Sequence, residues 1–145
     1  MVFPDVNVLI YAMRADLPHH EEAYEFLSLL LASSRTVLWH PMQLAAVVRI
    51  TTHPKFTKEP STLEQCAEFL DAFLSSSQAR RAVESDQFWA SMKSVLEQTQ
   101  ITGSRVSDVY WATLCKENNA TIATFDRTFP AVKGVRILVM GAGQQ

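Results

Sequence analysis

Short apolar runs alternate with amphipathic helical patterns along the whole chain, and this alternation limits the fold more than any other feature of the sequence. Each run is short enough to be a buried strand, and each is followed by a longer stretch with apolar residues at helical spacing. The alternation is typical of an α/β fold with a short-stranded, mostly parallel central sheet flanked by helices. The predicted strands are Val2–Val6, Thr36–Trp39, Arg80–Val83, Ala120–Phe125 and Arg136–Met140.

Helices are predicted between these strands, and several of them have recognisable starts. The predicted helices cover approximately residues 7–13, 19–32, 41–52, 61–74, 85–98 and 107–118. Pro41 opens the third helix, and Ser61 followed by Glu64 resembles a capping box. Ser104 or Ser107 is expected to cap the last helix.

Length and composition predict one globular domain. The chain has 145 residues, of which 48% are hydrophobic and 19% charged, a balance that excludes a disordered protein. We expect a single domain over residues 1–140 and a loose tail over residues 141–145. Cys66 and Cys115 lie far apart in helical patterns and are predicted to be buried free thiols.

Charge and hydropathy limit the location and the partners of the protein. No apolar run approaches the ~20 residues that cross a membrane, and no secretory signal is visible, so we expect a cytoplasmic protein. The net charge of −2 argues against nucleic-acid binding through bulk positive charge. It does not exclude an enzyme that acts on nucleic acid, since bound divalent cations would invert the potential of an acidic site.

Three aspartates occupy positions from which a parallel sheet presents its ligands. Asp5 ends the first strand, Asp126 follows the fourth, and Asp108 lies in the first turn of the last helix. Strand ends and helix starts meet at the same edge of such a sheet, so the three carboxylates are expected in one crevice. Carboxylates without His or Cys companions suit Mg²⁺ or Mn²⁺, which can assist phosphodiester hydrolysis.

Each of these residues also has a structural interpretation. Asp108 alone is more simply a partner of the helix dipole, and Asp126 alone a turn residue. Asp5 is harder to explain in this way, because an acid among apolar neighbours is costly to bury. Asn7 is expected both to cap the first helix and to orient Asp5 or a metal-bound water.

Other catalytic arrangements find little support. The four histidines lack the spacing of a zinc hydrolase and are expected to be surface or capping residues, and no phosphate-binding glycine loop occurs. Trp89 and Trp111 are expected to pack in the core. Arg49, Arg105 and Arg127 are candidate contacts to phosphate groups, but each is equally explained as a solvated or structural cation.

These segments resemble the PIN-domain ribonucleases, and within them the VapC-like toxins of bacterial toxin–antitoxin pairs. The resemblance rests on order and spacing over nearly the whole chain, from the opening D-x-N-x-L-I-Y-A at Asp5 to the segments around Asp108 and Asp126. It implies Mg²⁺- or Mn²⁺-dependent endonucleolytic cleavage of RNA, with Asp5, Asp108 and Asp126 as metal ligands and Asn7 as a further catalytic residue. It also implies a VapB-like antitoxin and a homodimer.

One position departs from the family pattern. Many relatives carry a Glu three residues before the Arg that corresponds to Arg49, whereas this chain has Ala46. Fewer carboxylates weaken metal binding, so a second hypothesis is a catalytically weak or inactive protein that binds RNA or an antitoxin. A third is a haloacid-dehalogenase-like phosphatase with Asp5 as nucleophile, although that family expects an Asp where this chain has Asn7.

Overall fold

The computed structural model describes residues 1–141 as an α/β fold around one parallel sheet. The five strands lie in the order β3-β2-β1-β4-β5, and every neighbouring pair is parallel. The strands are β1 (Val2–Pro4), β2 (Val37–Trp39), β3 (Ala79–Arg81), β4 (Thr121–Thr124) and β5 (Arg136–Val139). The α/β class and the mostly parallel sheet were both predicted, and both are confirmed.

Six α-helices cover the two faces of this sheet. They are α1 (Val6–Met13), α2 (His20–Ala32), α3 (Pro41–Thr51), α4 (Leu63–Leu74), α5 (Phe88–Thr99) and α6 (Val106–Glu117). The apolar residues of α1 to α4 form one core cluster with Val2 and Val37, and those of α5 and α6 form a second with Phe3 and Leu38. Successive strand residues point to opposite faces, so these short apolar strands supply both layers.

Several helix starts differ from the sequence-based expectations by one to three residues. Asp5, not Asn7, is the N-cap of α1. Thr62 with Gln65 forms the capping box of α4 that was assigned to Ser61 with Glu64. Helix α5 begins at Phe88 rather than Ser85, and α6 follows a short 3-10 turn with no side-chain cap from either serine. At these positions the predicted cap and the observed cap are close in sequence and similar in chemistry. Only the backbone conformation therefore shows which of the two residues caps the helix.

Burial confirms the expectations for the cysteines but not for both tryptophans. Cys66 and Cys115 are buried and free, and burial raises the pKa of Cys115 to about 12. Trp111 is buried and stacks on Phe3, whereas Trp89 is 64% exposed, so its predicted core position is wrong.

Two further expectations concern the ends of the chain and the membrane. Residues 142–145, most of the predicted tail, lie outside the described residues. None of the helices between residues 1 and 141 is long and apolar enough to span a bilayer.

Candidate active site

The three aspartates lie at the carboxyl edge of the sheet, after the central strand β1, after its neighbour β4 and at the start of α6. Asp5 directly follows β1, Asp126 comes two residues after the neighbouring β4, and Asp108 is in the first turn of α6. Asp5 is 7% exposed, while the side chains of Asp108 and Asp126 are 22% and 36% exposed. One carboxylate therefore forms the floor of the site, and two others lie nearer to solvent.

Asp5 is held by hydrogen bonds to both of its oxygens. Its Oδ1 accepts a hydrogen bond of 2.7 Å from the backbone N–H of Val6, which is the N-cap interaction of α1. Its Oδ2 accepts a hydrogen bond of 2.7 Å from the hydroxyl of Thr124, the last residue of β4. The carboxylate is thus fixed by the helix that follows it and by the strand beside it.

Thr124 and Asn7 join the first strand to the fourth. The Asn7 amide donates to the Thr124 hydroxyl at 3.1 Å and, more weakly, to Asp5 Oδ2 at 3.4 Å. Its carbonyl oxygen accepts from the N–H of Phe125 at 3.1 Å, and the N–H of Asp126 donates to the Thr124 hydroxyl at 3.0 Å. Of the two roles expected for Asn7, capping is wrong, while the contact with Asp5 is present.

Arg105 lies between the two outer carboxylates. Its Nη2 is 3.3 Å from Asp108 Oδ2 and 3.5 Å from Asp126 Oδ2. The same guanidinium donates to the hydroxyl of Thr128 at 3.0 Å and to the Thr128 carbonyl. Thr128 in turn donates from its N–H and its hydroxyl to Asp126 Oδ1, the turn geometry that the structural interpretation of Asp126 predicts.

The electrostatics of the three acids differ. Burial raises the pKa of Asp5, and the charges of Asp108 and Asp126 raise it further against the hydrogen bonds from Thr124 and Val6. Burial also raises the pKa of Asp108, more than Arg105 lowers it. Burial acts in the same direction on Asp126, but the hydrogen bonds from Thr128 and the charge of Arg105 bring its pKa below the ordinary value.

These residues fit a hard divalent cation in the chemistry of their donors. All three offer carboxylate oxygens, Asp5 is buried without a cationic partner among the described residues, and Arg105 shows that the outer pair accepts a positive charge. In residues 1–141, however, no three His, Cys, Asp or Glu side chains are gathered closely enough to surround an ion. Holding a cation would therefore need the three carboxylates to lie closer together than they do here.

A second polar cluster at the same edge was not predicted from the sequence. Glu84, three residues after β3, accepts hydrogen bonds from the Tyr110 hydroxyl and, at 2.6 Å, from His40 Nε2. His40 Nδ1 accepts from the N–H of Met42, so the proton is assigned to Nε2. The signal available in the sequence was the position of His40 directly before Pro41, which we interpreted only as capping.

This cluster extends to the first strand through Gln43. Gln43 is fully buried, accepts from the N–H of His40 at 3.0 Å and donates to the carbonyl of Pro4. Ala46 is half-buried one turn further along α3. A hydrogen-bonded path thus leads from Tyr110, two residues after Asp108, to the residue before Asp5.

The other candidate arginines are placed differently. Arg127 donates to the carbonyl of Gly141 at 3.0 Å, which is a structural role. Arg49 lies in the last turn of α3 and is exposed. Of the three arginines considered from the sequence, the structure brings Arg105 to the acids.

Comparison with known proteins identifies the class to which this fold and acidic edge belong. The PIN domain profile matches residues 2–135, and the chain belongs to the PIN domain family. The resemblance inferred from the sequence is thereby confirmed.

Individual relatives and structures agree with this assignment. The chain is 29% identical over 136 residues to ribonuclease VapC43 of Mycobacterium tuberculosis, covering 94% of this chain and 92% of that protein. Its fold is similar to that of a chain in the structure of VapBC2 from Rickettsia felis bound to a promoter DNA fragment, with a TM-score of 0.67 and 22% identity. The alignment covers 94% of this chain and 97% of that chain. VapC20 of M. tuberculosis, a toxin that cleaves the sarcin–ricin loop, aligns with a TM-score of 0.63 and 11% identity. This alignment covers 89% of this chain and 92% of VapC20.

Proposed function

We propose that this protein is the toxin of a toxin–antitoxin pair and cleaves RNA at a Mg²⁺ or Mn²⁺ site formed by Asp5, Asp108 and Asp126. The observation that carries the proposal is the buried Asp5 carboxylate, which faces two further acids at the carboxyl edge of a PIN-domain sheet. An uncompensated buried carboxylate is costly, and a divalent cation would offset that cost. The ribonuclease names of the relatives support the choice of substrate.

Three residues would bind the ion, and two others position Asp5. Asp5, Asp108 and Asp126 would hold the ion, which when bound activates water and offsets charge on a phosphate. Thr124 keeps Asp5 in place through a hydrogen bond of 2.7 Å, and the Asn7 amide donates a hydrogen bond to the Thr124 hydroxyl. Asn7 therefore acts as a positioning residue.

Asp5→Asn provides the decisive test because it preserves shape and the ability to cap α1 while removing the charge. We expect Mn²⁺ binding, measured by calorimetry, and RNA cleavage both to be lost, by about a hundredfold or more in rate. Asp71→Asn, on the exposed side of α4, is the matched control and should behave as the wild type. Unchanged cleavage in Asp5→Asn would refute the assignment.

A second candidate function rests on Ala46. Because this chain has Ala46 where the family resemblance leads us to expect an acid, a protein that binds RNA or antitoxin without cleaving is the alternative. Wild-type protein that binds RNA but shows no cation-dependent cleavage would favour it. The phosphatase hypothesis is replaced by the family assignment.

A groove beside the end of α1 suits the antitoxin. It has a volume of about 1140 Å³ and lies between the end of α1, α2, the segment before α4, and α4 itself. Its lining combines Leu27, Leu31 and Phe69 with the acids Glu59 and Glu68 and with the ion pair of Arg14 and Asp16. We assign it to an apolar segment with basic residues, such as an antitoxin of VapB type, and retain the homodimer and a cytoplasmic location as parts of the proposal.

A further inference from the structure

Arg105 interacts with the oxygens that the proposed cation would need. One nitrogen, Nη2, lies 3.3 Å from Asp108 Oδ2 and 3.5 Å from Asp126 Oδ2. These are single contacts to an arginine side chain that is 40% exposed, so each is a weak ion pair. The two contacts nevertheless place a positive charge between the two outer carboxylates.

The guanidinium has a second anchor that does not involve the carboxylates. Nη1 donates to the Thr128 hydroxyl at 3.0 Å, and Nη2 donates to the Thr128 carbonyl. Arg105 would therefore stay at the rim of the site if its contacts with the acids were broken. Its exposure leaves it room to approach a ligand from solvent, and a guanidinium is the side chain best suited to a phosphate.

We propose that Arg105 competes with the divalent cation for Asp108 and Asp126 and, when the cation binds, turns from these acids to a phosphate of the RNA. This inference rests on the proposed function. In the metal-free protein Arg105 offsets part of the charge of the outer pair. In the loaded protein the same side chain, still tethered at Thr128, contributes positive charge to substrate binding.

The proposal predicts effects of opposite sign from one substitution. Arg105→Ala removes the competitor, so we expect the dissociation constant for Mn²⁺ to fall by about three- to tenfold in calorimetry without RNA. It also removes the phosphate contact, so kcat/KM for RNA cleavage at saturating Mn²⁺ should fall about tenfold. A residue that only supported the fold would not tighten metal binding.

Two further variants control for charge and for tethering. Arg127→Ala removes an equal charge near the same edge, but Arg127 is bound to the Gly141 carbonyl, so both quantities should stay at their wild-type values. Arg105→Lys keeps the charge without the forked contact to Thr128 and should lie between Arg105→Ala and the wild type in both measurements.

The outcomes separate this inference from the function on which it rests. If the wild type binds Mn²⁺ and cleaves RNA while Arg105→Ala binds Mn²⁺ equally or more weakly, Arg105 is not a competitor and the proposal is overturned. Unchanged cleavage by Arg105→Ala would overturn the phosphate contact. A wild type that neither binds Mn²⁺ nor cleaves RNA would overturn the proposed function and the inference with it.

Discussion

Asp5 lies in an environment that disfavours the ionised form of its carboxyl group. Burial, together with the charges of Asp108 and Asp126, raises its pKa above the ordinary value of 3.8. The folded protein therefore holds this proton better than the unfolded chain does. Stability that protonated Asp5 provides is present at low pH and is lost as the pH rises through the raised pKa.

Asp5→Asn should therefore stabilise the metal-free protein at neutral pH. The amide keeps an acceptor for Val6 and removes the charge that burial disfavours, so we expect the melting temperature to rise by about 3 °C. The difference from the wild type should shrink as the pH is lowered towards 4. Thermal melts in a chelator at several pH values measure it, and a lower melting temperature at pH 7 would contradict the account.

Sequence reasoning selected the three acids of the proposed site and gave Asn7 a supporting role, but it did not give the individual contacts that hold these acids. Asp5 and Asp126 each follow a recognisable strand, and the topology of a parallel sheet brings strand ends together. Thr124 and Arg105 act through contacts across long stretches of sequence or around a turn. Nothing in local pattern distinguishes such a threonine from one that only favours a strand.

At the scale of elements, the polar path from α6 to β1 links these two elements to the segments that follow β2 and β3. Burial raises the pKa of Glu84, but hydrogen bonds from Tyr110 and His40 outweigh it, and the net shift is downward. Its contribution to stability is therefore present above pH 4.5 and is lost as the pH falls through the lowered pKa. The predicted α/β pattern placed His40 and Glu84 near strand ends, but it gave no reason to pair them.

We expect Glu84→Ala to destabilise the protein by about 1–3 kcal/mol, since it leaves His40 and Tyr110 without their shared acceptor. Glu84→Gln keeps an oxygen in the same place and should recover part of this loss. Urea denaturation at pH 7 measures both. If the two variants were equally destabilised, the charge of Glu84 rather than its accepting oxygen would be responsible.

At the scale of the molecule, the groove lined by α2 and α4 is the surface proposed for the antitoxin. Tyr24 lines this groove and is 57% exposed. Leu29 lies on the same helix with 64% exposure and is not part of the groove lining. The two residues thus form a matched pair for testing the proposed antitoxin surface.

Tyr24→Asp should weaken binding of the antitoxin by about tenfold or more, because it places a further negative charge in a groove whose lining has three acids and one base. Leu29→Asp should bind as the wild type does. Affinity is measured with the purified antitoxin, and RNA cleavage by the free toxin should be unchanged in both variants. Equal loss in both would place the antitoxin elsewhere on α2.

The pairing of β1 with β4 also has a consequence for synthesis of the chain. The first strand bonds to residues 121–123, so the central pair of the sheet cannot form until most of the chain has left the ribosome. Asp5 and Thr124, which are 119 positions apart, meet only then. A prematurely terminated fragment that lacks β4 would therefore carry Asp5 without the strand whose Thr124 holds that carboxylate in place.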